Sequence, residues 1–387
     1  MPDGIGYLSV AGVGVESTPG TAVNASQRVS TLEFTPDKEF SFLLDESLQG
    51  NVFRHKPDLG TVDIRGTWRC YHDYRLSNVL LTHFFGSLSG GRYVFADNLT
   101  VTMTWAIDKQ VSVWELRGVF INSLVLNISA GFAELSGTLI ATGLVYTGAE
   151  NTSAELANLL PITARKCKLA PDLTVRLGVD TTALSSGDNL SVQSGTITLN
   201  RSIAETHVSG QREIITPDAD NFADGSFEFA LTRYDSNQFK TWLDALTSLQ
   251  MSVVFDEEGG SGLKSWFLPH VTLNTTPNPV SGPSFIPQSI TGTISAGMGT
   301  YTAATISAAA ADNSINDAGT AFPLIHPGAK LWTSGFTGTA TNNEKRTVST
   351  RTTAKIVLTG GTALVDDAAG ETVTVVYEQP PAYITEV

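Results

Sequence analysis

The sequence predicts a mainly β protein: two tandem copies of a β-sandwich-type domain, each with one flanking helix, then a small all-β C-terminal domain. Three observations predict this. The 387 residues are 41% hydrophobic and only 16% charged, with 35 glycines and many Thr and Ser, which is the balance of a turn-rich β chain. That length exceeds what one core organises, so two or three domains are expected. The chain also repeats itself. The pattern W-x-L-x-x-V-x-[IL]-N occurs at residues 114–122 (WELRGVFIN) and, without a gap, at 266–274 (WFLPHVTLN), 152 residues further on.

The rest of the repeat follows in register. Residues 135–139 (LSGTL) are answered by 290–294 (ITGTI), an alternation of apolar and small polar residues that suits a half-buried strand. Leu32-Glu33-Phe34 is answered by Ile197-Thr198-Leu199, and each precedes a long polar stretch, residues 43–60 or 204–223. Then come a strand and a helix in each copy: TVDIRGTWRCY before DYRLSNVLLTHFFG, and GSFEFALTRY before DSNQFKTWLDALTS. Asp73 or Ser77, and Asp235 or Ser236, are candidate helix caps. Leu76, Leu80 and Phe84, and Phe239, Leu243 and Leu246, recur at helical spacing and predict one apolar stripe per helix, with Gly86 as the first helix's stop. Trp114 and Trp266 are expected in the cores of their own copies.

These signals divide the chain into a first domain with an N-terminal arm (1–150), a linker (151–165), a second domain (166–297) and a C-terminal β domain (298–387). The linker carries SAELANLL, a short helix with Ser153 as the expected cap. Gly12 and Gly14 read as relaxing the arm. After Gly297 the composition turns small, polar and Ala-rich, and strand-like runs follow, separated by Gly, Asn-Asn and Asp-Asp turns. Among small β folds, an immunoglobulin-like one is the nearest expectation for this domain.

A net charge of −14 disfavours tight nucleic-acid binding, which needs clustered Lys and Arg to displace counterions. It permits polyanionic DNA to pass a surface without sticking, if acidic groups face its path. No stretch approaches the length of a membrane span, and the N-terminus has no basic segment followed by an apolar run, so a soluble, unexported chain is expected. Cys70 and Cys167 match no metal or redox spacing and read as buried free thiols, a bridge between them being the alternative. The six histidines form no HExxH or comparable pattern, and His83, on the first helix, reads as structural. No G-x-S-x-G elbow, dinucleotide loop or calcium loop is present. Asp256-Glu257-Glu258 reads as a solvated hairpin tip rather than a catalytic pair. No catalytic residue, metal site or cofactor is assigned, and the expectation is a non-enzyme.

The repeated order of strand, charged loop (DESLQGNVFRHKPDLG; ETHVSGQREIITPDADN), strand and helix, closed by the Trp motif and the [IL]-[ST]-G-T-[IL] strand, resembles the tail tube proteins of long non-contractile-tailed bacteriophages, in the subgroup with a duplicated tube domain. The C-terminal stretch looks like the domain appended in such proteins. The resemblance implies a structural virion protein, built of tail-tube-type sandwiches, that polymerises as stacked rings. Two domains per chain then require three chains per pseudo-sixfold ring. It implies a location in the virion tail after assembly in the host cytoplasm. The implied partners are further copies of the chain, tape measure, tail terminator and tail-tip proteins, and genomic DNA passing without specific binding, with no membrane insertion. It also implies ring-stacking roles for the two long loops, around Asp45, Glu46, Arg54 and Asp58, and around Glu205, Arg212 and Glu213. Three other readings stay open on these residues: a tail-tip or capsid decoration adhesin, a tube of a contractile or secretion device, and a carbohydrate enzyme using Asp256, Glu257 or Glu258.

Overall fold

The computed structural model describes residues 9–43, 58–89, 91–96, 101–215, 218–219, 223–234, 236–279 and 286–386. The fold is mainly β, as the sequence predicts, and the described residues pack into two compact units. The first comprises the described residues within 1–88, 96–169 and 196–224, and the second those within 89–95, 170–195 and 225–387.

In the first unit two sheets face each other. One sheet runs from Gln27–Val29 through Val10–Val15, Met103–Asp108 and Val113–Ile121 to Gly143–Val145. The other runs from Thr31–Leu43 through Asp58–Tyr71 and Glu134–Ile140 to Ser123–Ile128. Trp105 of one sheet stacks on Phe34 of the other at 4.8 Å and lies 5.7 Å from Trp68, all three buried. This aromatic layer is the core of a β-sandwich.

The second unit repeats the central strands of this plan. Leu173–Val179 pairs with Leu249–Asp256 as Val10–Val15 does with Met103–Asp108, and Leu263–Thr275 takes the place of Val113–Ile121. Even the irregularities coincide. A β-bulge separates the pairs Met103↔Val119 and Trp105↔Leu116 in one copy, and Leu249↔Val271 and Met251↔Leu268 in the other. A bulge re-aims the strand at one defined position, so its retention at matching positions marks the copies as structurally equivalent. The glycine strand is also shared. Gly137 pairs with Trp68, and Gly292 with Phe227.

The first helix, Val79–Phe85, buries Leu80 and Phe84, whereas Leu76, expected on the same stripe, precedes the helix and is exposed. Its cap is Asn78, whose side chain accepts from Leu80 N at 3.0 Å, and not Asp73 or Ser77. Asp73 is instead buried and paired with Arg75 at 2.9 Å, which leaves Asn78 as the polar side chain adjoining the first turn. Gly86 ends the helix in the left-handed conformation, as expected. The second helix, Gln238–Asp244, buries Phe239. Its stripe stops short of Leu246, which lies past the helix end and is exposed. Its N-cap is Asn237, whose side chain makes no capping bond, and not Ser236, although Ser236 Oγ accepts from Gln238 N at 3.2 Å; Asp235 lies outside the described residues. The linker helix is Ser153–Asn158, capped by Thr152 in a reciprocal box with Glu155 rather than by Ser153. It buries Leu156 against Ala106 and Val113. Gly12 is not a relaxed arm but a close contact in the strand Val10–Val15, where a Cβ would fall 2.5 Å from Leu159.

Trp266 is fully buried, as expected, but Trp114 is half-buried, packed edge-on against Tyr146 at 4.9 Å with Lys109 Nζ over its ring. Cys70 and Cys167 are both buried and unbridged. His83 is buried beside Arg201, whose guanidinium donates to the carbonyls of Phe84 (2.8 Å) and Ala96 (2.7 Å). Burial first, and then the Arg201 charge, lower its pKa from 6.5 to about 4. Because the folded pKa is depressed, the unfolded chain takes the proton first. His83 therefore leaves stability intact above about pH 6.5 and erodes it as the pH falls toward 4, by about 3 kcal/mol for a shift of this size. Exchange protection of the first unit should fall over that window in the wild type, and the loss should shrink in His83→Met, which has a similar volume and does not titrate.

In the second unit a seven-stranded sheet follows, in the order Met298–Ala303, Val373–Glu378, Lys330–Ser334, Lys345–Arg351, Lys355–Thr359, Ser314–Asp317, Ile306–Ala309. It has its own core around Leu331, Val348, Ile356 and Val375. Tyr383–Glu386 does not join it. That strand pairs with Lys264–Phe267 on one side and with Arg92–Val94 on the other.

Candidate functional site

Alternation along the strands sends every second side chain away from the sandwich core. In the first unit the sheet containing Thr31–Leu43, Asp58–Tyr71, Glu134–Ile140 and Ser123–Ile128 therefore has a second face, away from Trp68 and Phe34. That face is rich in hydroxyls tied in cross-strand pairs: Thr35 with Thr67 at 2.5 Å, Ser41 with Thr61 at 2.9 Å, and Ser123 with Thr138 at 2.9 Å. It also carries Glu33, Asp37, Glu39, Asp63 and Glu134, against Arg65 and Arg69. Both arginines are held by carboxylates. Arg69 lies 3.6 Å from Glu33 and 3.4 Å from Glu134. Arg65 is 3.8 Å from Glu39 and 3.9 Å from Asp63, and its Nε donates to Glu205 at 2.8 Å. The hydrogen bond to Glu205, and then the surrounding carboxylates, push the Arg65 pKa up.

The corresponding face in the second unit has the same character. Ser226 and Glu228 lie on one strand, Thr291 and Thr293 on the next, and Thr272 and Asn274 beside them, with Thr275 and Thr291 hydroxyls 2.7 Å apart. A surface of paired hydroxyls with a surplus of carboxylates offers phosphates little to bind, because anion retention needs unneutralised cations.

Past Arg65, the strand Glu134–Ile140 ends and the outer half of the Thr31–Leu43/Asp58–Tyr71 hairpin extends beyond it. Residues 205–213 run along this extension. Glu205 holds Arg65, His207 Nε2 lies 2.8 Å from Asp63, Arg212 O accepts from Val62 N at 2.8 Å, and Glu213 bridges to Val62 and lies 3.7 Å from Arg117. Of the seven loop residues singled out from sequence, Glu205, Arg212 and Glu213 are thus brought together on the first hairpin. Asp58 sits at the end of that hairpin, opposite Leu43 and exposed, and Asp45, Glu46 and Arg54 lie outside the described residues. The hairpin also exposes Phe40, Phe42, Leu43 and Leu59, an apolar set that charge-based reading of the loop passed over. Asp256–Glu258 stands at a turn between Leu249–Asp256 and Leu263–Thr275, where Glu257 accepts from Gly262 N at 3.0 Å.

Residues 6–294 match the phage tail tube protein family. The chain belongs to that family. A comparison with curated proteins found no match. A tail tube protein is a structural component of the virion tail that assembles with its own copies and other tail proteins into a tube, and the mainly β sandwich architecture agrees with this. No helix among the described residues of this tail tube protein is long and apolar enough to cross a membrane. The hydroxyl-lined faces were not selected by sequence reasoning. Their signal is the period-2 alternation of Thr, Ser and acid in EFTPDKE, RGTWR and LSGTL, which says that a face is polar but not that the faces of successive strands coincide.

Proposed function

We propose that three copies of this tail tube protein join head to tail into a ring, and that rings stack through the long hairpins. In this reading the hydroxyl-rich acidic faces turn inward to line the channel along which phage DNA passes during ejection. The observation that carries it is an open sheet edge matched to an internal precedent. Among the described residues, Thr31–Leu43 pairs only with Asp58–Tyr71, so its outer edge is unpartnered along 13 residues. Its counterpart by the internal repeat is Val192–Asn200. The last five residues of that strand, counted with the first unit, extend the sheet beside Ser123–Ile128, with Arg201 N donating to Asn122 O at 2.8 Å. Asn122 corresponds to Asn274. A like edge-to-edge placement made between chains sets the Asn274 region of one copy on the Thr31–Leu43 edge of the next, without a counterpart of the Arg201 bond, since Pro36 answers Arg201 in the repeat and has no N–H. A long exposed edge is an aggregation hazard unless something covers it, and a closed ring removes the hazard.

The first sandwich (1–150) and the second (166–297), joined by the linker (151–165), supply the two ring positions of each chain, and the third domain (298–387) faces away from the channel except for its last strand, Tyr383–Glu386, which pairs with the second sandwich. Asp45, Glu46, Arg54 and Asp58 meet the adjacent ring together with the apolar hairpin residues. Glu205, Arg212 and Glu213 act indirectly, by bracing the hairpin. Charges there set register more than affinity. Assembly takes place in the host cytoplasm, with tape measure, terminator and tail-tip proteins at the tube's core and ends.

The test is an inter-chain cross-link. The double variant Thr35→Cys and Asn274→Cys, oxidised after assembly, should give covalent species ending at a trimer on denaturing gels, since the native cysteines are buried. The single variants should stay monomeric. A covalent ladder that closes at another number, or no cross-link in well-formed filaments, would sink this junction.

A further inference from the structure

We infer that the seven-stranded domain is inserted into the second sandwich rather than appended to it, and that its return strand is a folding checkpoint on assembly. The comparison of the two copies carries this. In the first copy Glu134–Ile140 is followed at once by Gly143–Val145, which pairs with the Trp114 strand, Val145 opposite Glu115 and Leu144 opposite Leu116. In the second copy the strand Gln288–Ile294 is followed by departure of the chain at 295–297 into the seven-stranded sheet. The free side of the Trp266 strand is taken instead by Tyr383–Glu386, with Tyr383 opposite Phe267 and Ile384 opposite Trp266. Glu115 and Phe267 are the same position of the repeat. A strand that follows the seven-stranded domain therefore does the work that an adjacent strand does in the first copy.

The departure and return points are in contact, as an insertion requires. Gln379 N donates to Gly297 O at 2.7 Å, and the first and last strands of the domain, Met298–Ala303 and Val373–Glu378, pair along their whole length. The return strand is held deep in the unit. Glu386 lies 3.1 Å from Lys264 Nζ, with both side chains buried, and accepts from the Tyr93 hydroxyl at 2.6 Å. Tyr383 stacks on Phe267 at 4.9 Å and its hydroxyl lies 3.0 Å from His326 Nδ1. Ile384 is fully buried.

The consequence is an order of events. Tyr383–Glu386 cannot pair until residues 298–379 have been synthesised and have folded back to Gly297. Until then the Leu263–Phe267 edge is open. A chain whose second sandwich is incomplete cannot present its ring junction, so polymerisation waits for the inserted domain. This last step rests on the ring reading, and the insertion itself does not.

Hydrogen exchange on the full-length chain tests both parts. Ile384→Pro removes a backbone donor and a buried side chain from the return strand. Peptides spanning 263–267 and 92–95 should then exchange about tenfold faster or more, while peptides of the seven-stranded sheet (345–359) keep wild-type protection. Glu386→Gln, a milder change, should raise exchange at the same peptides by a smaller factor. Filaments seen by electron microscopy should be lost in Ile384→Pro and reduced in Glu386→Gln. Wild-type exchange rates at 263–267 in both variants would overturn the insertion, and normal filaments from a deprotected Ile384→Pro chain would overturn the checkpoint. A wild-type chain that forms no filaments counts against the rings, and the exchange comparison still decides the insertion.

Discussion

Gly137→Val should abolish the first sandwich. A Cβ at this position would lie 1.9 Å from Ser123 O and 2.9 Å from Ser123 C, and 3.2 Å from Trp68 Nε1. The clash is with backbone, so no rotamer change relieves it. Ser123 opens a strand whose register is set by Asn122 N donating to Thr138 O at 2.9 Å, and shifting it also moves that bond. The expected cost is on the order of 5 kcal/mol, comparable with the whole stability of an ordinary domain. Gly292→Val should do the same in the second copy, where a Cβ falls 2.5 Å from Thr272 O and 2.4 Å from the Phe227 ring. Gly131→Ala is the control, because no atom lies within 4 Å of its Cβ, and it should stay within about 0.5 kcal/mol of wild type. Circular dichroism against urea, read with exchange protection of each unit, separates these outcomes. Folded Gly137→Val protein with a wild-type midpoint would show that the strand pairing around Ser123 is misplaced.

The second large effect concerns the tryptophans. Trp105→Ala should cost about 3–5 kcal/mol, since the indole is buried between Phe34 and Trp68 and ties one sheet to the other. Trp266→Ala should cost the same order in the second unit. Trp114→Ala should cost much less, about 1 kcal/mol, because its ring is partly solvated and gains chiefly from Tyr146 and Lys109. Urea midpoints followed for each unit measure the difference. Equal losses at Trp114 and Trp266 would mean that the two copies bury the motif alike.

That contrast shows where sequence reading reached and where it stopped. Leu116, Val119 and Ile121 of the motif are buried, and so are Leu268, Val271 and Leu273; period-2 alternation joins Val119 to Ile121 and Val271 to Leu273, while the β-bulge before them accounts for the three-residue step from Leu116 and Leu268. The tryptophan opening the same motif is set by its neighbours across the sheet. Trp114 meets Tyr146, next to the strand Gly143–Val145, whereas Trp266 stands opposite Ile384 in the pairing with Tyr383–Glu386. Helix existence was legible in the Leu80 and Phe84 spacing, whereas the cap was not. Asp73, Ser77 and Asn78 all have capping chemistry, and a buried pair with Arg75 removes Asp73 from the competition. The charged loops were found as candidate sites, but only the fold shows that Glu205, Arg212 and Glu213 brace the first hairpin.

By itself the sequence determined the β class, the duplication, the surplus of carboxylates and the family resemblance, since each is a matter of composition, period or motif carried along the chain. Tertiary structure alone decided which polar residues share one hydroxyl-lined face, which edge of Thr31–Leu43 stays open, and that Tyr383–Glu386 completes the second sandwich. The reason is physical. Strand partnership is chosen by backbone hydrogen bonding between segments that can be more than a hundred residues apart, and a four-residue strand such as YITE carries no mark of which edge will take it.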